Sequence, residues 1–165
     1  MVANETVPVK ILFYAINGTG LGHLSRLLAI ARHARDLLHA LELRADFQFI
    51  TTSEASQVCW DFPVFKVPSK TVIATSDTDR QQYIHGAKLM ISNLTASMSP
   101  DILVLDTIAE GSFYEFLFIR DYARSTVFID RHKDRRFASR RTNQSHLALY
   151  DRIIVPQVRE TEHRH

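Results

Sequence analysis

The segment of this chain best suited to chemistry is a glycine-rich turn near the amino terminus. Three of the five glycines, Gly18, Gly20 and Gly22, fall within five residues, and His23 follows them directly. An apolar, β-like segment precedes the turn, and a helix-like segment follows it. This order brings backbone N–H groups and a helix N-terminus up to a phosphate or another polar ligand. The turn therefore predicts a site for a phosphate-bearing or similarly polar molecule.

His23 is the group in this turn that could move a proton. A histidine titrates near neutral pH, so it can act as a general base towards a hydroxyl group. In that interpretation Gly18, Thr19, Gly20 and Gly22 supply N–H groups to a phosphate. The alternative is structural: glycines permit a tight turn because they adopt positive φ, and the histidine caps it. We favour binding, because one or two glycines would suffice for a turn.

Charged residues stand at the ends of two later apolar segments. Asp106 and Glu110 bracket the end of one segment, and Asp130 and Arg131 end the next. Ligands of open α/β sheets bind at the carboxyl ends of the strands, where these side chains would meet the glycine turn. Asp106 and Glu110 could bind hydroxyl groups, and Asp130 and Arg131 could line the same cleft. Asp106 could instead cap a following helix, and for this residue we favour the cap.

Two common phosphate-binding motifs do not fit the glycine turn. The dinucleotide fingerprint needs glycine at its first, third and sixth positions and an acidic residue that closes the second strand. Counted from Gly18, the sixth position is His23, and Glu54 comes only after the second strand has ended. The NTPase phosphate loop would close with Gly-Lys-Ser/Thr, which is missing here. A nicotinamide-dependent oxidoreductase is therefore a weak alternative.

Composition and charge narrow the class of protein further. A formal net charge of +2 over 165 residues does not support nucleic-acid binding, which usually needs a stronger basic excess. Cys59 is the single cysteine, so an internal disulfide and the two-cysteine zinc motifs are excluded, and the histidines show no metal-ligand spacing. The first residues lack a signal-peptide pattern, and no apolar run approaches the ~20 residues of a membrane helix. These features predict a cytoplasmic domain without a metal.

Strand-like and helix-like segments alternate along the chain. The predicted strands cover residues 9–16, 45–51, 63–67, 101–106, 126–129 and 152–155. The predicted helices cover residues 24–41, 54–60, 80–98, 109–124 and 135–150, and residues 68–79 are predicted to be a loop. Strands separated by helices form parallel βαβ units. We therefore expect an α/β, Rossmann-like three-layer sandwich with a mostly parallel sheet.

The glycine turn also carries a family resemblance. Residues 18–26 resemble the first loop of GT-B glycosyltransferases, above all the group that contains the peptidoglycan UDP-N-acetylglucosamine transferase and the plant galactolipid synthases. Those proteins open with a strand, a Gly-x-Gly-x-Gly-His-like loop and a long helix. Residues 99–106 and 149–156 resemble two later segments of their N-terminal domain. The resemblance spans residues 9–156.

This resemblance implies one half of a GT-B fold. Residues 1–165 would form the N-terminal, acceptor-binding domain, and the C-terminal donor domain would lie in a longer chain or a separate subunit. The implied activity is inverting, metal-independent transfer of a sugar from a nucleotide-sugar co-substrate such as a UDP-sugar to a hydroxyl acceptor. His23 would be the base, no cofactor would be needed, and the isolated chain would be nearly inactive. The alternative is a noncatalytic Rossmann-like module that recruits an acceptor or a partner subunit.

A locally basic run at residues 130–141 bears on the partners. It could clamp an acceptor phosphate, or contact an anionic membrane surface that carries a lipid acceptor. The alternative, which we favour, is a solvated helix face with internal Asp–Arg pairs. The expected partners are thus a donor domain or donor subunit and a sugar or lipid acceptor, with peripheral contact at the inner membrane face as a further option.

Overall fold

The structure, a computed structural model, describes residues 7–15, 21–74, 76, 79–106, 108–130 and 145–156. The strands of this part of the chain are β1 (Val9–Ala15), β2 (Ala45–Thr51), β3 (Val64–Lys66), β4 (Ile102–Asp106), β5 (Ser125–Ile129) and β6 (Arg152–Ile154). The α-helices are α1 (Gly22–Ala40), α2 (Lys70–Ala74), α3 (Arg80–Met98) and α4 (Phe116–Ile119), and short 3-10 helices cover Ser56–Cys59 and Arg120–Tyr122.

The strands form one sheet in the order β3-β2-β1-β4-β5-β6. Every neighbouring pair is parallel, which confirms the predicted Rossmann-like α/β architecture. The order reverses at β1, since the chain moves outward through β2 and β3 and then returns to place β4 on the other side. Ligands of open α/β sheets bind beside such a reversal, at the carboxyl ends of the strands. In this sheet that position is the end of β1 and β4.

Helices cover both faces of the sheet. On one face, α1 buries Leu24, Leu27 and Leu28 against a core that includes Phe13 and Phe49. On the other face, α3 and α4 pack on the alternate residues of the same strands; that core includes Leu12, Leu103, Leu105, Phe116 and Phe128. Successive strand residues point to opposite faces, so strands covered on both sides are apolar throughout. This burial explains the continuous apolar runs in the sequence.

Two predicted elements have the bounds expected from sequence, β2 and α3. Local signals explain the ends of α3. The Asp79 carboxylate accepts hydrogen bonds of 2.9 Å from Gln81 N and Gln82 N, so it caps the first turn. Ser99, with φ of 43°, and then Pro100 end the helix. Within the described residues, no helix is both long and apolar enough to cross a membrane.

Three predicted elements differ from the structure. The predicted loop at 68–79 contains α2, and the predicted helix at 54–60 is a 3-10 helix over Ser56–Cys59. The helix predicted at 109–124 is wrong: residues 109–115 form turns, and only Phe116–Ile119 is α-helical. Gly111 and Tyr114 have φ of 80° and 60°, which a right-handed helix cannot accommodate. Most of the helix predicted at 135–150 lies outside the described residues, although residues 145–147 are helical.

Candidate active site

His23 and Asp106 meet at the carboxyl edge of the sheet. His23 Nδ1 lies 3.3 Å from Asp106 Oδ2, although 83 positions separate the two residues. The Asp106 side chain is 0% exposed, whereas the His23 side chain is 21% exposed. A buried carboxylate therefore faces a histidine that solvent or a ligand can still reach.

The fold places both residues at the reversal of the strand order. His23 is the second residue of α1, which follows β1, and Asp106 is the last residue of β4. The strands β1 and β4 are hydrogen-bonded neighbours, with Tyr14 paired to Leu105. Because Leu24 of α1 is fully buried, the first turn of the helix is anchored against the sheet. The position of His23 thus depends on the packing of α1 against the core.

Arg26 completes the cluster, and sequence analysis did not single it out. Its Nε and Nη2 atoms each lie 3.1 Å from Asp106 Oδ2, and Nη2 also lies 3.1 Å from His23 Nδ1. His23 and Arg26 are three positions apart on one helix, so they share a face. A buried carboxylate is costly unless it is paired and hydrogen-bonded, and Arg26 provides that pairing. The i, i+3 spacing from His23 was the available signal.

The protonation of the imidazole decides what this cluster can do. When Nδ1 carries the proton, it donates to the Asp106 carboxylate, and the lone pair is on Nε2. When Nδ1 is bare, Arg26 Nη2 can donate to it instead, and the proton is on Nε2. A buried carboxylate beside Nδ1 favours the first tautomer, as in other sites where a carboxylate orients a histidine. In that state His23 can accept a proton at Nε2.

The N-terminus of α1 adds donors at the same place. The first helical hydrogen bond runs from Ser25 N to Leu21 O, at 2.8 Å. The N–H groups of Gly22, His23 and Leu24 therefore precede the helical ladder. Leu21, the N-cap residue, makes no side-chain hydrogen bond to the helix, and the first turn of α1 contains no acidic residue. Such an end carries a partial positive charge, which favours an anionic group.

Buried hydroxyl groups organise the neighbouring end of β2. Thr51 Oγ1 donates a 2.7 Å hydrogen bond to Ala15 O, the last described carbonyl of β1. The same oxygen accepts a 3.0 Å bond from Ser53 N, and Ser53 Oγ accepts from Ala55 N at 3.2 Å. These bonds join the carboxyl ends of β1 and β2. They fix the chain where it enters the glycine turn.

A buried acid, Glu115, organises the segment after β4, and sequence analysis did not identify it. The side chain is fully buried, and Oε2 accepts a 2.6 Å hydrogen bond from Phe113 N. No described residue hydrogen-bonds to Oε1. Burial raises the pKa of the carboxyl group from 4.5 to about 7, against backbone hydrogen bonds that lower it. Tyr150 holds the same segment, because its hydroxyl donates to Ala109 O at 2.7 Å.

The structure brings some of the predicted site residues together and leaves others apart. His23 and Asp106 are brought together, and the prediction that Asp106 caps the following helix is wrong, because residues 109–115 form turns and α4 begins only at Phe116. Asp130 follows Ile129, which pairs with Asp106 across β4 and β5, so it lies at the same edge of the sheet.

Glu110 is half-buried, and no side-chain hydrogen bond or ion pair joins it to the cluster. Gly22 begins α1, and a Cβ built there would meet no atom within 4 Å. Gly18, Thr19, Gly20 and Arg131 lie outside the described residues. Within the described part of the chain, no three His, Cys, Asp or Glu side chains are grouped to hold a metal ion.

Comparison with solved structures shows which fold this is. MurG from Acinetobacter baumannii superposes with a TM-score of 0.62 at 13% identity, over 92% of this chain and 42% of that chain. A putative UDP-N-acetylglucosamine 2-epimerase from Listeria monocytogenes gives a TM-score of 0.55 at 14% identity, over 92% of this chain and 40% of that chain. Another UDP-N-acetylglucosamine 2-epimerase gives 0.56 at 11% identity, over 92% and 42%.

These neighbours are GT-B-like proteins, so the fold resemblance predicted from the glycine turn is confirmed. At such low identities the likeness shows the fold alone. The chain spans about two fifths of the length of the solved chains, by the coverages of 42% and 40%. No protein-family model matches the sequence, and no curated protein matches it.

Proposed function

We propose that this chain is the acceptor-binding half of an inverting glycosyltransferase that uses a nucleotide-sugar donor. The observation that carries the proposal is the contact of His23 with buried Asp106 at the reversal of the strand order. It combines a candidate proton acceptor with an oriented partner, next to a helix N-terminus suited to a phosphate. The glycosyltransferase-like fold supports the same assignment.

The proposed reaction assigns a task to each residue. His23 Nε2 accepts the proton of the acceptor hydroxyl group while the hydroxyl oxygen forms a bond to the anomeric carbon of the sugar. The bond from that carbon to the nucleotide phosphate breaks, and the nucleotide leaves with the bonding electron pair. Asp106 stabilises the imidazolium through Nδ1–H, and Arg26 balances the carboxylate. The N–H groups that begin α1 bind a phosphate of the donor or acceptor.

In this proposal a second domain or subunit supplies most of the donor site. It would complete the cleft opposite the carboxyl edge of β1 and β4. The neighbours in which the fold was found are more than twice the length of this chain, since it covers 42% of one and 40% of another. A sugar or lipid acceptor would bind at the edge formed by His23, Asp106 and Asp130.

The part of the proposal that concerns ligand binding can be tested on this chain. Calorimetric titration with sugar phosphates, lipid phosphates, UDP and UDP-hexoses should show binding of the acceptor-type phosphates and weak binding of UDP-hexoses. Tight binding of a UDP-hexose by this chain alone would contradict the acceptor assignment. In that case the chain would be a donor-binding or epimerase-like half.

The catalytic part of the proposal must be tested on the protein together with its donor domain. His23→Ala should lower turnover by about 10²–10⁴-fold, the usual contribution of a general base. The matched control is His33→Ala, on the same helix, which should leave turnover unchanged. Near-normal turnover of the His23 variant would show that His23 is not the general base.

A second candidate function is a noncatalytic module that recruits a partner. The observation in its favour is a set of exposed apolar side chains on and around α4: Tyr114 is 68% exposed, Leu117 52% and Phe118 61%. Large exposed apolar groups that lie together often mark an interaction surface. If this function is correct, His23→Ala will have no effect on turnover in any assembly, and Phe118→Ser will weaken partner binding.

A further inference from the structure

A cavity of about 360 Å³ lies between α2 and the first turns of α3, away from the His23 cluster. Ile73, Ala74, Tyr83 and Ile84 line this cavity, and the cationic side chains of Lys70 and Arg80 line it too. A volume of this size suits a small organic ligand. None of the described residues that line the cavity carries a carboxylate.

Lys70 is held in place at this cavity. Its ammonium group donates a 2.8 Å hydrogen bond to Ser112 O, in the segment after β4, and lies 4.8 Å from the centre of the Phe113 ring. Packing around the ammonium group and the charge of Arg80 lower the pKa of Lys70, although the side chain stays exposed. Both cations line the same cavity, so their like charges repel each other.

Neither cation has an ion-pair partner in the described part of the chain. The nearest described acid along the chain, Asp79, uses its carboxylate to accept from the N–H groups of Gln81 and Gln82. Two like charges beside an apolar wall favour a ligand that brings a negative charge. The anion would relieve the repulsion, and an apolar group bonded to it would bury surface against Ile73 and Ile84.

We propose that this cavity binds an amphiphilic anion, a phosphate monoester or carboxylate bonded to an apolar group. Lys70 and Arg80 hold the anionic head, and Ile73, Ala74 and Ile84 contact the apolar part. This assignment does not depend on the proposed sugar transfer, because it involves neither His23 nor Asp106.

Octyl phosphate is the probe for this cavity, with inorganic phosphate and octanol as its two halves. Calorimetric titration of the chain should show that octyl phosphate binds at least about tenfold more tightly than either half, because both contacts are needed. Arg80→Met and Lys70→Met should each weaken octyl phosphate binding by about tenfold. Lys88→Met is the matched control: this lysine lies on α3 over the Phe118 ring, outside the cavity, so binding should be unchanged.

Several outcomes would overturn the proposal. Equal affinity for octyl phosphate and octanol would show that the cations do not bind the anionic head. Unchanged octyl phosphate binding by Arg80→Met would lead to the same conclusion, even if Lys70→Met failed to fold. Binding lost in His23→Ala but kept in Arg80→Met would locate the ligand at the carboxyl edge of β1 instead. Binding to phosphatidylglycerol vesicles without binding to monomeric octyl phosphate would indicate a membrane-contact surface. Each result stands whether or not the chain takes part in sugar transfer.

Discussion

The carboxyl group of Glu115 occupies the space that a side chain on Gly111 would need. A Cβ built on Gly111 would lie 2.6 Å from Glu115 Cδ and 2.6 Å from Oε1. Gly111 also has φ of 80°, a conformation that residues with a side chain rarely adopt. Glycine at 111 and a buried acid at 115 are therefore one structural unit, which shapes the segment that follows Asp106.

Gly111→Ala should destabilise the protein by about 2–4 kcal/mol, because it adds both backbone strain and a collision with a buried carboxyl group. Urea unfolding monitored by circular dichroism would measure the change. Gly86→Ala is the control, since a Cβ there meets nothing within 4 Å in the middle of α3. That variant should gain up to about 1 kcal/mol from helix propensity. Equal stability of the two variants would contradict the close packing of Gly111 and Glu115.

Glu115→Gln should change how stability depends on pH. The folded pKa of about 7 lies above the ordinary 4.5, so the folded state binds the proton more tightly than the unfolded chain does. The tighter proton binding of the folded state stabilises the protein fully below pH 4.5. This stabilisation, about 3 kcal/mol, is lost as the pH rises from 4.5 towards 7. Glutamine keeps an acceptor for Phe113 N without a charge, so the variant should be more stable than the wild type at pH 8.

Unfolding curves at pH 4.5, 6 and 8 would check the Glu115 prediction. Glu54→Gln serves as the control, because a hydrogen bond from Lys66 lowers the pKa of Glu54 and gives the opposite sign. That variant should gain no stability at pH 8. If the free energy of unfolding changed with pH in the same way for the wild type and Glu115→Gln, Glu115 would not retain its proton in the folded state.

Asp106→Asn should disturb the tautomer of His23. An amide in place of the carboxylate removes the charge that favours a proton on Nδ1, while Arg26 can still donate to that atom. The imidazole nitrogen shifts of this chain, measured by NMR, should indicate Nδ1–H in the wild type and a larger share of Nε2–H in the variant. With the donor domain present, turnover should fall by about 10²–10⁴-fold. Asp36→Asn, at an exposed position of α1, should change neither quantity.

Gly22→Ala should separate ligand binding from folding. A Cβ at this position meets no protein atom, so the free energy of unfolding should change by less than about 1 kcal/mol. If a phosphate approaches the N–H groups that begin α1, the added methyl group should weaken its binding. Calorimetric titration with sugar phosphates measures this loss. Unchanged affinity in a variant of normal stability would mean that the ligand does not contact this turn.

Much of the fold could be predicted from the sequence because the signals for it are local. Alternating apolar strands and periodic helices predicted the parallel sheet, and Asp79 and Pro100 explain why α3 has its predicted length. The segment at 109–124 was predicted wrongly because the spacing of Phe113, Phe116 and Ile119 suits a helix face. In the structure these residues are buried, but Gly111 before Phe113 and Tyr114 after it have positive φ, which a right-handed helix cannot contain.

The sequence by itself determined which chemical groups stand at the ends of the strands, among them His23 after β1 and Asp106 at the end of β4. Only the tertiary structure decided that these two side chains contact each other and that Arg26 joins them. The physical reason is the return of the chain across the sheet, which pairs β4 with β1 over a separation of 83 residues between His23 and Asp106. Local propensity carries no information about such a pairing, and so Asp106 resembled a helix cap until its neighbours in space were known.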